Sequence, residues 1–225
     1  MERYRNNPWI EMGNHSFTHA GFKYRKFYSD PNGVLDDFEK NRNFLKLDTM
    51  MARLPGRNIW RLGGLEKGRG SGAEAADLLA EHGYRIYGWD LEWRHDRKGY
   101  PLQNAKEIYS SIKRYIKENR TFTSKHLVLL MHDEMFIRRQ SIKELTRLIE
   151  LLRSDYRCAL KALSTYPNID AQKLKNRGGF MSNSPKSATV IGDFCFGKVP
   201  FQLNKYSAAK IAIPQRGSLG ITLLF

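Results

Sequence analysis

Leu127-Val128-Leu129-Leu130-Met131-His132-Asp133 decides the fold. Five apolar residues follow one another with no polar alternation, as in a parallel strand covered on both faces. The run then closes abruptly on a histidine and an aspartate. In parallel α/β barrels the functional residues collect at such C-terminal strand ends. Downstream, Ser141-Ile142-Lys143-Glu144 has the form of a capping box and predicts a helix to about Arg153. Residues 156–163 read as the last clear strand. Upstream, 102–119 read as an amphipathic helix and 84–89 as a strand. Residues 73–82 are rich in helix formers, with Gly83 where a left-handed cap is wanted. Residues 33–47 place Val34, Leu35, Phe38, Leu45 and Leu47 at helical spacing, a loop covers 14–31, and 9–12 read as the end of a strand. Strands alternating with helices imply βαβ units and a parallel sheet or barrel.

Composition narrows the class. A chain of 225 residues that is 41% hydrophobic suits one domain with a substantial core. No segment approaches the roughly 18 apolar residues needed to cross a bilayer. Residues 1–9 are polar and show no apolar signal region, so the chain as written is expected in the cytoplasm; an intact relative could be secreted, periplasmic or membrane-anchored. Cys158 and Cys195 make neither a disulfide framework nor a zinc-ligand spacing. The net charge of +15 comes from 38 Lys+Arg against 23 Asp+Glu. The basic residues are scattered, as in Arg138, Arg139, Lys143 and Arg147, and read first as a solvated helix face. Anionic glycan or lipid surfaces come second and specific nucleic-acid binding third. Beyond Pro167 the chain turns polar, and the expected division is 1–168 for the main domain and 169–225 for a basic extension with no assigned chemistry.

His15-Ser16-Phe17-Thr18-His19 is the sharpest local signal. Histidines at i and i+4 can reach one metal ion from a helical turn, or from a loop that folds like one. Ser16 stands where a zincin protease would carry its glutamate, which disfavours that class. Asp36-Asp37 is the only adjacent aspartate pair, and on a helix its carboxylates point in different directions, as on a solvated face.

Four segments in fixed order resemble the polysaccharide deacetylases, the NodB-homology or carbohydrate esterase family four proteins. The segment Gly13-Asn14-His15-Ser16-Phe17-Thr18-His19 resembles that family's second motif, and Arg53-Leu54-Pro55-Gly56-Arg57-Asn58 its third. Gly88-Trp89-Asp90-Leu91-Glu92-Trp93 is similar to the fourth, and Leu130-Met131-His132-Asp133 to the fifth. The resemblance covers residues 9 to about 165 and implies an incomplete, distorted (β/α) barrel.

It also implies a chemistry: metal-dependent hydrolysis of N-acetyl groups on a polysaccharide or oligosaccharide. His15 and His19 would be ligands of a divalent metal, most often zinc in the family. His132 would be the general acid, with Asp90 holding its imidazole, and Arg53 would position the base. Leu130, Trp89 and Pro55 would line the substrate pocket. This sequence departs from the pattern in two places. Gly56 follows Pro55 where the family has an aromatic, and the aspartate pair of the first motif is missing from the 14 residues before His15. The expectation is therefore a feeble enzyme at best, from a wrong start site or a truncated gene. The alternatives are a glycan-binding remnant without catalysis and a basic nucleic-acid-binding protein.

Overall fold

The computed structural model describes residues 2–7, 10–155 and 158–167, with the strand backbones 190–191 and 219–224. The chain opens with α1 (Glu2–Arg5), a loop and α2 (Tyr24–Phe27), and then the longer α3 (Pro31–Leu45). Asp30 caps α3 by accepting from the Gly33 amide, and Pro31 supplies a first-turn residue with no amide hydrogen to satisfy. β1 (Met51–Ala52), β2 (Trp60–Leu62) and β3 (Leu65–Lys67) follow, and then α4 (Ala73–Glu81), β4 (Arg85–Ile86) and β5 (Leu91–Glu92). Gly83 sits just past α4 at φ +87, as its sequence position demands. The second half holds α5 (Ala105–Lys117), β6 (His126–Leu130), α6 (Arg139–Ser154), β7 (Cys158–Leu160), β8 (Val190–Ile191) and β9 (Leu219–Leu224).

Among the described residues the strands form two sheets, not a closed barrel. One runs β1-β4-β2-β3; the other runs β5-β6-β9-β7, with β8 also paired to β9. The second is wholly parallel, as the 127–131 run requires. The first is mixed, because β2 and β3 form an antiparallel hairpin turned by Gly63 and Gly64, both at positive φ. Among the described residues no ladder joins the two sheets into a ring, so the barrel expected from the sequence is a two-sheet α/β arrangement here.

β6 shows why its run is apolar throughout. Leu127, Leu129 and Met131 meet Ile108, Ile112, Leu148 and Leu152 from α5 and α6. Val128 and Leu130 turn the other way, onto Trp60, Leu62, Tyr87 and Tyr166. That inner cluster draws side chains from both sheets and is the core beneath the site.

One local expectation is corrected. Ser141 does not cap a helix: a 3₁₀ segment, Asp133–Ile137, leads into α6 at Arg139, which puts Ser141 inside the helix. Glu144 instead accepts from the Ala105 amide at the start of α5, 2.8 Å away. The capping box belongs to Asn104 and Glu107. The strand expected at 9–12 includes Trp9, outside the described residues; further along, Asn14 bridges Ala52 in parallel. The proposed boundary at 168/169 also falls outside the described residues, but β9, assigned to the tail, lies between β6 and β7 in their sheet.

Candidate functional site

The loop from His15 to Phe22 is built against α3. The Asn14 side chain donates to the Phe38 carbonyl and accepts from Asn41 and from the Ser16 amide. Asp37 accepts from the Phe17 and Thr18 amides at 2.9 and 3.2 Å, and Ser16 Oγ accepts from the His19 amide. Asp36 is exposed as expected, whereas Asp37 is not a solvated face residue but a clamp on the loop between the histidines. The backbone there is unusual. Ser16 has φ +68, and His19, Ala20, Gly21 and Phe22 follow at +50, +57, +51 and +58. Four consecutive residues thus make one left-handed turn, which costs a non-glycine residue about 1–2 kcal/mol each.

His15 is 9% exposed, and both of its ring nitrogens meet the same residue. Nδ1 lies 2.7 Å from the Arg53 carbonyl oxygen, and Nε2 lies 3.1 Å from Arg53 Nη2. A carbonyl only accepts and a guanidinium only donates, so the hydrogen sits on Nδ1 and the lone pair on Nε2. The His19 ring lies 5.1 Å from the His15 ring, centroid to centroid. The Arg53 guanidinium also stands 5.8 Å from the Trp89 ring. Trp89 is pinned by Asn58, whose amide donates to its carbonyl and accepts from its amide at 2.8 and 2.9 Å. A Cβ on Gly88 would lie 2.2 Å from Asn58 Oδ1 and 2.4 Å from Trp60 Nε1, so only glycine lets this clamp close. Pro55 accepts from Tyr28 Oη through its carbonyl. The structure therefore brings His15, His19, Arg53 and Trp89 together.

Imidazole nitrogens are the donor type a zinc-type ion takes, and His15 and His19 are neighbours here. A carbonyl on Nδ1 fixes the tautomer that leaves Nε2 as a donor atom. Among the described residues, no group of three or more His, Cys, Asp or Glu converges there or elsewhere. Arg53 would also have to leave Nε2.

The pairing expected between Asp90 and His132 is corrected. Asp90 turns both carboxylate oxygens onto backbone amides, Phe122 at 2.7 Å and Val128 at 2.8 Å, and so ties the start of β5 to β6. Burial, the dominant cause, pushes its pKa up to about 6, against the opposite pull of those two amides. The carboxylate at His132 is Glu92, 3.5 Å from Nε2. Glu92 ends β5 opposite Leu130, two residues before His132, so register makes Glu92 and His132 diagonal neighbours on one face. A period-2 reading from Asp90 to Glu92 was the available signal. His95 lies 5.3 Å from the His132 ring and is itself held by Glu134 at 2.9 Å. Leu130 is 2% exposed and packs in the inner cluster.

Comparisons with known proteins add little. No family model matches the sequence, and no curated protein matches it. One solved structure that does match is a polysaccharide deacetylase of Bacillus cereus, at 22% identity and a TM-score of 0.37. The match covers 64% of this chain and 63% of that one, so this chain spans under two thirds of that protein's length. At that TM-score the likeness carries no argument about fold or function.

Proposed function

We propose that this chain is a polysaccharide-deacetylase-type hydrolase that binds an N-acetylated polysaccharide or oligosaccharide and removes acetyl groups with a divalent metal, zinc foremost. One observation carries the reading. His15 and His19, Arg53 and Trp89 lie in three separate segments, linked in the sequence only through a family resemblance, and they meet at one place.

Bound at His15 and His19, the metal would polarise the acetamide carbonyl and lower the pKa of its water towards about 7. The chain's own residues do the rest. The Arg53 carbonyl holds the His15 tautomer, and the Arg53 side chain supplies a fixed positive charge beside the site. Glu92 orients His132 through Nε2, which leaves Nδ1 to protonate the leaving amine. Asp90 takes no part in proton transfer and holds the strand ends in register. No described residue is assigned the role of base.

Acetate release from N-acetylated chito-oligosaccharides, with added zinc and with a chelator, tests the proposal. The 225-residue chain should give weak, chelator-sensitive release, rising strongly when it is fused to the first strand of an active relative. Robust release that ignores the chelator, or no saccharide binding by either form, would overturn it. A second reading, a glycan-binding protein without catalysis, is favoured by Arg53 standing on His15 Nε2. Saccharide binding with no acetate from the fused form would decide for that reading.

A further inference from the structure

We propose that Phe22 is a saccharide-stacking residue, presenting its ring to one pyranose face of the N-acetylated chain at the mouth of the His15–His19 site. Phe22 is 77% exposed yet holds φ +58, a conformation that costs a side-chain-bearing residue about 1–3 kcal/mol. A lone exposed apolar side chain needs no explanation. One held at a strained backbone angle without burial to offset it does.

The left-handed turn supplies that explanation. Residues three apart on such a turn share a side, and the Phe22 ring stands 5.4 Å from the His19 ring, inclined at 62°. Tyr24 approaches the same His19 ring at 6.2 Å from the next helix. Its position is fixed by Gly56, where a Cβ would come within 3.0 Å of the Tyr24 ring. His19 is thus edged by two aromatic rings, one standing clear in solvent. A flat apolar face with hydroxyl-free C–H groups, as one side of a pyranose offers, matches a single exposed ring. A membrane surface is disfavoured, because stable insertion needs a cluster of apolar side chains rather than one ring; the attraction that Lys23, Arg25 and Lys26 would add for anionic lipid is tested below.

The inference rests on the function proposed above, and the test separates the two. Binding of N-acetylated chitohexaose to the 225-residue protein is measured by titration calorimetry. Phe22→Ala should weaken binding about tenfold, and Phe22→Trp should keep it within about threefold. The added indole should also change its fluorescence on binding. Parent affinity retained in Phe22→Ala, or an unresponsive indole in Phe22→Trp, overturns the stacking role and leaves the wider function standing. A parent that binds no chitohexaose overturns the stacking role, and the wider function falls with it when the fused form binds no saccharide either. Binding of Phe22-dependent character to anionic phosphatidylserine vesicles, with none to the saccharide, overturns the inference in favour of a membrane contact.

Discussion

Arg53 meets His15 twice, and the two contacts pull in opposite directions for metal binding. Its carbonyl prepares Nε2 as a ligand, while its guanidinium sits on that nitrogen and repels a cation. Arg53→Gln keeps a donor and removes the charge. Zinc affinity measured by chelator competition should then rise at least about tenfold, since a unit charge a few ångströms away acts with several kcal/mol even at an effective dielectric of about 20. Equal affinity in parent and variant would remove Arg53 as the competitor. Asp90 gives a second residue-scale outcome. Its pKa is raised from 3.8 to about 6 in the folded chain, so the folded state holds this proton more tightly than the unfolded one. The associated stability is fully present below pH 3.8 and is lost as pH rises through about 6, on the order of 3 kcal/mol. Asp90→Asn should therefore flatten the stability difference between pH 5 and pH 7, read from urea midpoints. An unchanged difference would assign that titration to another group.

At the scale of elements, α3 anchors the histidine loop and β6 leads into His132. α3 ends on Lys46 at φ +48, a left-handed cap occupied by a residue with a Cβ. Lys46→Gly should raise stability by about 0.5–1 kcal/mol in chemical denaturation, because glycine adopts that angle without strain. A loss of stability would mean that the Lys46 side chain contributes more than its strain costs. β6 behaves differently. Leu129 is fully buried between the strand and the α5–α6 layer, so Leu129→Ala should cost about 2–5 kcal/mol. The apolar run on β6 and the spacing of α3 were both legible in the sequence, since burial on two faces and helical periodicity leave direct composition patterns. Gly63-Gly64 marks the β2–β3 hairpin in the sequence, but the surrounding alternation of strands and helices implies only parallel pairing. The start of α6 was misplaced for a different reason. A Ser-x-x-Glu pattern says nothing of the 3₁₀ turn before it, or of a partner helix needing Glu144.

For the molecule as a whole, the sequence by itself determined the α/β class, most helices, and the segments from which a site would be drawn. Those features rest on local chemistry: periodicity, capping residues and strand ends closing on histidines. Only the tertiary structure decided which of those residues meet. It moved the carboxylate at His132 from Asp90 to Glu92, because the register of β5 against β6 sets the pairing and register is fixed by hydrogen bonds between distant segments. It turned Asp37 from a solvent-facing residue into the clamp on the histidine loop, a contact across 20 residues that no local pattern announces. It also left the strands as two sheets and placed β9 between β6 and β7. The order of strands in a sheet depends on which edges find partners, and that is settled by the whole chain at once.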